Sequence, residues 1–276
     1  MTLTQAQISA QLHAAGLTPR RALGQNFVVD ANTVRRIARL CGVGPTDNVL
    51  EIGAGLGSLT LALAESGAQI TAIEIDQLII PLLRQNVAKC PNVSVVQADA
   101  MTLDWSTIAD PARRWHLVAN LPYNVATPMI ADILDTVPQI KEFFVMVQRE
   151  VGERLAGAPR TKAYGAVSVK VAFWGHAEIV GVVPASVFLP KPNVESALVR
   201  IVRHNEPLDD KVNTAELFSL VRTGFAKRRK MLRGALANLV TQAQFNEAGI
   251  ESTARAEELS VHDWIRLSNV LQEEHS

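Results

Sequence analysis

Four consecutive residues, Asn120-Leu121-Pro122-Tyr123, bring together the groups needed to work on an aromatic amine. The exocyclic nitrogen of a base such as adenine is a poor nucleophile, because its lone pair is delocalised into the ring. Two acceptors aimed at its N–H hydrogens favour a pyramidal nitrogen with a localised lone pair. The side-chain oxygen of Asn120 is one such acceptor, and the backbone carbonyl of Leu121 is a candidate for the second. Pro122 fixes its own φ and restricts Leu121, which stiffens the turn carrying these groups. Tyr123 offers a ring for a base to stack on, worth about 1–3 kcal/mol. The competing reading is a Pro-Tyr turn that does no more than lead into a helix at Thr127.

A second constellation precedes it. Glu51-Ile52-Gly53-Ala54-Gly55-Leu56-Gly57 lies between an apolar run and a helical pattern, where Gly53 and Gly55 let the backbone approach a ligand without a Cβ in the way. Glu74 ends the next apolar run and suits the two hydroxyls of a ribose; Asp99, after the run that follows, suits an adenine amino group. Either acid alone reads equally well as a helix cap. Ser58 stands where a dinucleotide fingerprint has its third glycine, and the third glycine falls at Gly57 instead. That form suits the amino-acid end of S-adenosyl-L-methionine, which has no pyrophosphate to hold; NAD is the runner-up. A sulfonium-activated methyl group needs alignment more than acid or metal catalysis, so no metal site is expected.

These residues require a parallel sheet to position them. Asn48–Ile52, Gln69–Ile75, Val93–Gln97, Trp115–Ala119 and Phe143–Gln148 read as buried strands. Helical spacing falls at Thr33–Leu40, Ser58–Ser66, Gln77–Ala88 and Thr127–Leu134. Val167–Trp174, Glu178–Val183 and Ser196–Arg203 lack intervening helices and predict an antiparallel edge. His204–Asp210 reads as a linker, and Ala215–Leu239 and Ala254–Leu271 as helices. The expected organisation is a catalytic domain over 1–205 and a small helical domain over 206–276.

With 48% apolar and 20% charged residues, no long apolar run and only Cys41 and Cys90, the chain has the composition of a reduced, cytoplasmic globular protein. The N-terminus lacks a signal-peptide pattern, and nothing calls for more than a monomer. Formal net charge is zero, yet it is segregated. Arg222, Lys227, Arg228, Arg229, Lys230 and Arg233 lie in a stretch without acids, with Arg222, Arg229 and Arg233 at the spacing of one helix face. They form the candidate RNA grip, with Arg20 and Arg21 as a second basic point; a solvated helix surface is the plain alternative.

Taken in order, these motifs resemble the ribosomal small-subunit RNA adenine dimethyltransferase family. Its relatives include the erythromycin-resistance ribosomal RNA methyltransferases and mitochondrial transcription factor B. Leu23-Gly24-Gln25-Asn26-Phe27 is similar to the family's N-terminal cofactor motif, and Phe188-Leu189-Pro190-Lys191-Pro192-Asn193-Val194-Glu195-Ser196 to its late substrate-side motif. The resemblance implies a Rossmann-like class I methyltransferase with a mostly parallel seven-stranded sheet and a small all-helical C-terminal domain. It implies cofactor contacts at Asn26, Val28, Gly53, Gly55, Glu74, Asp99 and Asn120, with Val28 standing where the family usually has leucine. It places Phe188 across the target adenine from Tyr123. It also implies the substrate, two adjacent adenosines in a hairpin near the 3′ end of 16S ribosomal RNA in the immature 30S subunit, each converted to N6,N6-dimethyladenosine. A DNA-adenine or protein-glutamine methyltransferase, which uses a related Asn-Pro-Pro-Tyr turn, is one alternative; a non-enzymatic nucleic-acid-binding relative is another.

Overall fold

The structure, a computed structural model, describes residues 2–20, 23–227 and 229–273. The chain folds as two compact units, Met1–Gly152 with Glu178–Arg203, and Glu153–Ala177 with His204–Ser276.

In the first unit, α1 (Gln5–Ala14) and α2 (Ala31–Cys41) flank the two-residue strand β1 (Phe27–Val28). There follow β2 (Asn48–Ile52), α3 (Ser58–Ala64), β3 (Gln69–Glu74), α4 (Ile80–Val87), β4 (Val93–Gln97), β5 (Trp115–Asn120), α5 (Ala126–Thr136) and β6 (Ile140–Gln148). After a helical excursion come β7 (Gly175–Val183), β8 (Phe188–Leu189) and β9 (Ser196–Arg203). Among the described residues, seven strands form one sheet in the order β4-β3-β2-β5-β6-β9-β7. β4, β3, β2, β5 and β6 run parallel and β9 is antiparallel to β6. The first five expected strands are therefore present, and two of the three segments expected at the antiparallel edge, Glu178–Val183 and Ser196–Arg203, lie in strands of this sheet. Strand order reverses direction at β2, with β3 on one side and β5 on the other, which opens a crevice at their C-terminal ends.

Local signals explain most of the boundaries. Asp30 caps α2 by accepting from the Thr33 N–H at 2.7 Å, and Gly42, at φ 67°, ends it. The buried face of α2 is Val34, Ile37 and Cys41, a helical repeat packed on the sheet. α1, which its polar sequence left unmarked, opens on a Thr4/Gln7 capping box and buries Ile8 and Leu12.

The second unit holds α6 (Arg149–Leu155) in part, α7 (Ala166–Trp174), α8 (Thr214–Ala226), α9 (Leu232–Ala235), α10 (Gln242–Glu247) and α11 (Val261–Glu273). Two expectations are corrected here. Val167–Trp174 is helix, not strand. Its valines alternate with period two, but Val169 and Phe173, one helical turn apart, enter a core with Tyr164, Leu217, Phe218 and Trp264. The Gly165 N–H donates to Ser168 Oγ at 3.0 Å at its start. Tertiary packing outweighs β-propensity, and the segment Glu153–Ala177 consequently belongs with the C-terminal helices rather than with a domain over 1–205. The second correction is that Ala215–Leu239 is not one helix. The chain leaves α8 at Lys227, and Met231 pairs with Arg255 in an isolated bridge. The Leu232 and Arg233 N–H groups donate to the carbonyls of Ala254 and Ser252 instead of continuing the helix.

Candidate active site

Glu74, Asp99 and Asn120 sit at the C-terminal ends of parallel strands. Glu74 is the last residue of β3, Asp99 follows β4, and Asn120 is the last residue of β5. The glycine turn leaves β2 between them. Gly53, Gly55 and Gly57 have φ of 73°, 56° and 87°. A Cβ at Gly57 would lie 2.9 Å from the Leu83 side chain, so that glycine serves packing against α4. A Cβ at Gly53 would meet only the Asn120 carbonyl, at 3.7 Å, and Gly53 faces open cavity.

Two adjoining hollows share Gly53, Ile75 and Pro122 as a common wall. One is lined by Asn26, Val28, Glu51, Gly55, Glu74 and Asn120; the other by Asp99, Ile73, Met101 and Asn124. The expected cofactor residues are thus assembled around one elongated cleft.

Glu74 is 5% exposed. Its Oε2 accepts from the Gly55 N–H at 2.7 Å and its Oε1 from the Asp76 N–H at 2.9 Å. Burial raises its pKa, and these two backbone donors oppose the rise. Each oxygen retains a further lone pair for a ligand hydroxyl. Asp99 is half-buried and caps its own turn by accepting from the Met101 N–H at 2.9 Å.

Asn120 is held from the N-terminal segment. Its Nδ2 donates to the Asn26 carbonyl at 2.8 Å, which turns its Oδ1 to the opposite side. The Asn26 side chain donates back to the Gly24 carbonyl at 3.1 Å. Leu121 is buried, and its N–H donates to Met146 on β6 at 3.1 Å, anchoring the turn to the sheet. The Tyr123 hydroxyl is 2.8 Å from Ser196 Oγ, the last residue of the late motif. That motif also meets the first one directly: β1 and β8 pair with Val28 opposite Phe188. The structure therefore brings together three motifs that are separated by up to 170 positions in the chain (Asn26 to Ser196).

Phe188 differs from its expected placement. Its ring is 3% exposed, packed with Val118, Phe144, Met146 and Leu198 rather than open to the cleft.

One residue escaped the sequence reading. Glu51, in β2 just ahead of the glycines, is 2% exposed and lines the same cavity as Glu74 and Asn120. Its Oε2 is buried without a hydrogen-bond partner among the described residues. Burial, with a contribution from neighbouring Glu74, pushes its pKa up to about 8. Thr60, beside the carboxyl, opposes the rise. A buried acceptor left unsatisfied is costly, and the unpartnered Oε2 of an acid lining the cavity fits a cofactor that carries an ammonium group. A charged residue inside an apolar strand was the available signal.

The basic residues separate. Arg222 lies on α8, Lys227 at its C-cap, Arg229 and Lys230 in the turn, and Arg233 on α9. All five are exposed, but they surround a turn instead of lining one helix face. Arg228 and Arg21 lie outside the described residues. Arg20 is committed to a salt bridge with Asp76, so it is not a free RNA contact.

Comparison with known proteins agrees with this arrangement. Residues 16–273 match the family model for ribosomal RNA adenine dimethylase. Ribosomal RNA small subunit methyltransferase A of Cutibacterium acnes is 44% identical over 98% of this chain and 94% of its own. Among solved structures, the 23S rRNA methyltransferase ErmE aligns with a TM-score of 0.69 at 29% identity, covering 89% of this chain and 99% of that one. A dimethyladenosine transferase from Plasmodium falciparum shares the fold, with a TM-score of 0.77 at 21% identity over 89% and 97%.

Proposed function

The chain belongs to the ribosomal RNA adenine dimethylase family, and we propose that it modifies two adjacent adenosines near the 3′ end of 16S ribosomal RNA, within the immature 30S subunit, acting as a monomer in the cytoplasm. It is an S-adenosyl-L-methionine-dependent ribosomal RNA adenine dimethyltransferase. The observation that carries the site assignment is the Asn120 amide, whose nitrogen end is held by the Asn26 carbonyl through one of its two N–H groups, leaving the oxygen end for a substrate N–H.

Bound S-adenosyl-L-methionine supplies a methyl group activated by a positive sulfur. Glu74 accepts from ribose hydroxyls, Asp99 from the adenine amino group and Glu51 from the ammonium, with Asn26, Val28, Gly53 and Gly55 closing around them. Asn120 Oδ1 and the Leu121 carbonyl accept from the target amine and localise its lone pair, while Tyr123 carries the base. Phe188 meets the base's other face when the base displaces it from its core neighbours. Replacing Glu74 with Ala removes the ribose acceptor and strands the Gly55 and Asp76 N–H groups. Cofactor affinity is expected to fall by about tenfold to a hundredfold, read by calorimetry; unchanged affinity would mean the ribose assignment is wrong.

Lys227, Arg229, Lys230, Arg222 and Arg233 bind RNA phosphates, Arg228 completing the run. Because a base must leave its stack to react, the surrounding backbone needs such a grip. Reversing the charge of Lys227, Arg229 and Lys230 together is expected to lower rRNA affinity and to flatten the slope of log K against log salt by about 2. An unchanged slope points to a merely solvated turn. Among the described residues no helix is long and apolar enough to cross a membrane.

The substrate class is tested by offering labelled cofactor with immature 30S particles, free 16S RNA, 50S particles and duplex DNA. Label is expected in the 30S particles. Label confined to DNA or to the 50S particles would favour another adenine methyltransferase; no transfer at all would favour a non-enzymatic binding role.

A further inference from the structure

Asp76 lies outside both hollows, two residues beyond Glu74, yet it is 3% exposed and gathers donors from distant parts of the chain. Arg20 reaches it through Nε at 3.0 Å and through a terminal nitrogen. Gln25 Nε2 donates to it at 2.7 Å and the Leu78 N–H at 2.9 Å. Arg20 and Gln25 are tied to each other as well: the Arg20 N–H donates to Gln25 Oε1 at 2.8 Å, and the Gln25 N–H to the Arg20 carbonyl at 3.3 Å. The residue after Gln25 is Asn26, whose carbonyl receives the Asn120 amide at 2.8 Å.

These contacts form one connected path from a buried carboxylate to the reacting centre. We propose that Asp76 is a positioning residue for methyl transfer: by fixing Gln25 it fixes the Asn26 carbonyl, and that carbonyl selects which end of the Asn120 amide faces the substrate. An amide has a donor end and an acceptor end of nearly equal size. If the Asn26 carbonyl shifts away, the amide is free to flip, and a flipped amide presents two N–H donors to a substrate amine that needs an acceptor. Because the two ends are of nearly equal size, the hydrogen-bond partner selects between them. Arg20 keeps the carboxylate in place, because an unpaired buried charge is costly. The Asp76 N–H also donates to Glu74, so one residue sets both the ribose acid and the amide.

This inference rests on Asn120 being the acceptor, and the test separates the two. Methyl transfer to immature 30S particles and cofactor binding are measured for wild type, Asp76→Asn, Gln25→Glu, the double variant and Asn120→Ala, with folding followed by thermal denaturation. Asp76→Asn, which leaves one acceptor oxygen where Gln25, Arg20 and Leu78 now share two, is expected to lower kcat by about tenfold to a hundredfold, with a smaller change in the KM for cofactor. Gln25→Glu, which sets two carboxylates against each other, is expected to do the same. The double variant exchanges the two roles, with an amide at position 76 donating to a carboxylate at position 25, and kcat is expected to recover most of the loss. A loss confined to KM, unchanged kcat in both single variants, or a folded double variant no better than the singles overturns the proposal. Should Asp76→Asn not fold, Gln25→Ala leaves the Arg20 pair intact and carries the same expected loss of kcat. An inactive Asn120→Ala beside a fully active Asp76→Asn sinks this inference alone; an active Asn120→Ala sinks it together with the acceptor reading.

Discussion

Replacing Asn120 with alanine is expected to reduce kcat by a factor on the order of 10²–10³ or more while cofactor affinity changes by only a few-fold. The magnitude follows from what is removed. A preorganised polar group aimed at the reacting atom in a partly dehydrated cleft contributes about 2.7–4 kcal/mol to the transition state. The cofactor, by contrast, keeps Glu51, Glu74, Asp99 and the glycine turn. Asn120→Asp separates the two functions of the side chain. It retains an acceptor, but it sets a carboxylate oxygen against the Asn26 carbonyl, which now receives a donated hydrogen at 2.8 Å. Aspartate is therefore also expected to be severely impaired, and its cofactor affinity to drop more than that of alanine because the N-terminal segment is repelled. Single-turnover transfer and calorimetric binding check both. If alanine loses cofactor binding in proportion to activity, Asn120 is chiefly a cofactor ligand.

The second large effect concerns Glu51 and stability. In the unfolded chain this carboxyl ionises near 4.5; in the folded protein, burial holds it protonated up to about 8. Between those values the folded state binds the proton and the unfolded state does not, so stability falls as pH rises through the window, and the full cost stands above pH 8. A shift of that size corresponds to a cost on the order of 5 kcal/mol. Glu51→Gln keeps the shape and removes the ionisation. The cofactor-free variant is expected to melt well above the wild type at pH 8.5 and near it at pH 4.5. Glu74 is present in both proteins, so its own burial cost cancels to first order, and the difference between the two melting profiles reports Glu51 together with its coupling to Glu74. Cofactor affinity should move the other way, weakening by about tenfold as a charge-assisted hydrogen bond becomes a neutral one. Melting temperatures of the two proteins that run parallel across this pH range would contradict the burial argument.

Much of this was legible in the residues. Buried parallel strands announce themselves as short apolar runs, and the acids and the amide follow those runs directly, so β2 to β6 and the positions of Glu74, Asp99 and Asn120 at their ends could be read in advance. Other features are tertiary in origin. β1 and β8 are two residues long and exist because Val28 and Phe188 pair; neither segment carries a strand period. Val167–Trp174 alternates like a strand, but the Tyr164–Phe218–Trp264 core claims it as helix. The basic run was read as one helix face because its spacing suits one. The chain breaks there since Leu232 and Arg233 take partners at Ala254 and Ser252, a pairing that no local pattern records. Arg20 looked like a free cation, and its partner Asp76 lies 56 residues away. Glu51 was in plain view, but a carboxyl within an apolar strand reads as part of the strand until its burial is known.

The central claim is tested most directly by the product. Immature 30S particles are treated with the protein and S-adenosyl-L-methionine, and the 3′-terminal fragment of their 16S RNA is sequenced by mass spectrometry. The expected result is two adjacent N6,N6-dimethyladenosines in the terminal hairpin, absent when Asn120→Ala replaces the wild type. Methylation at any other base, or none in particles that Asn120→Ala and wild type leave indistinguishable, would contradict the account.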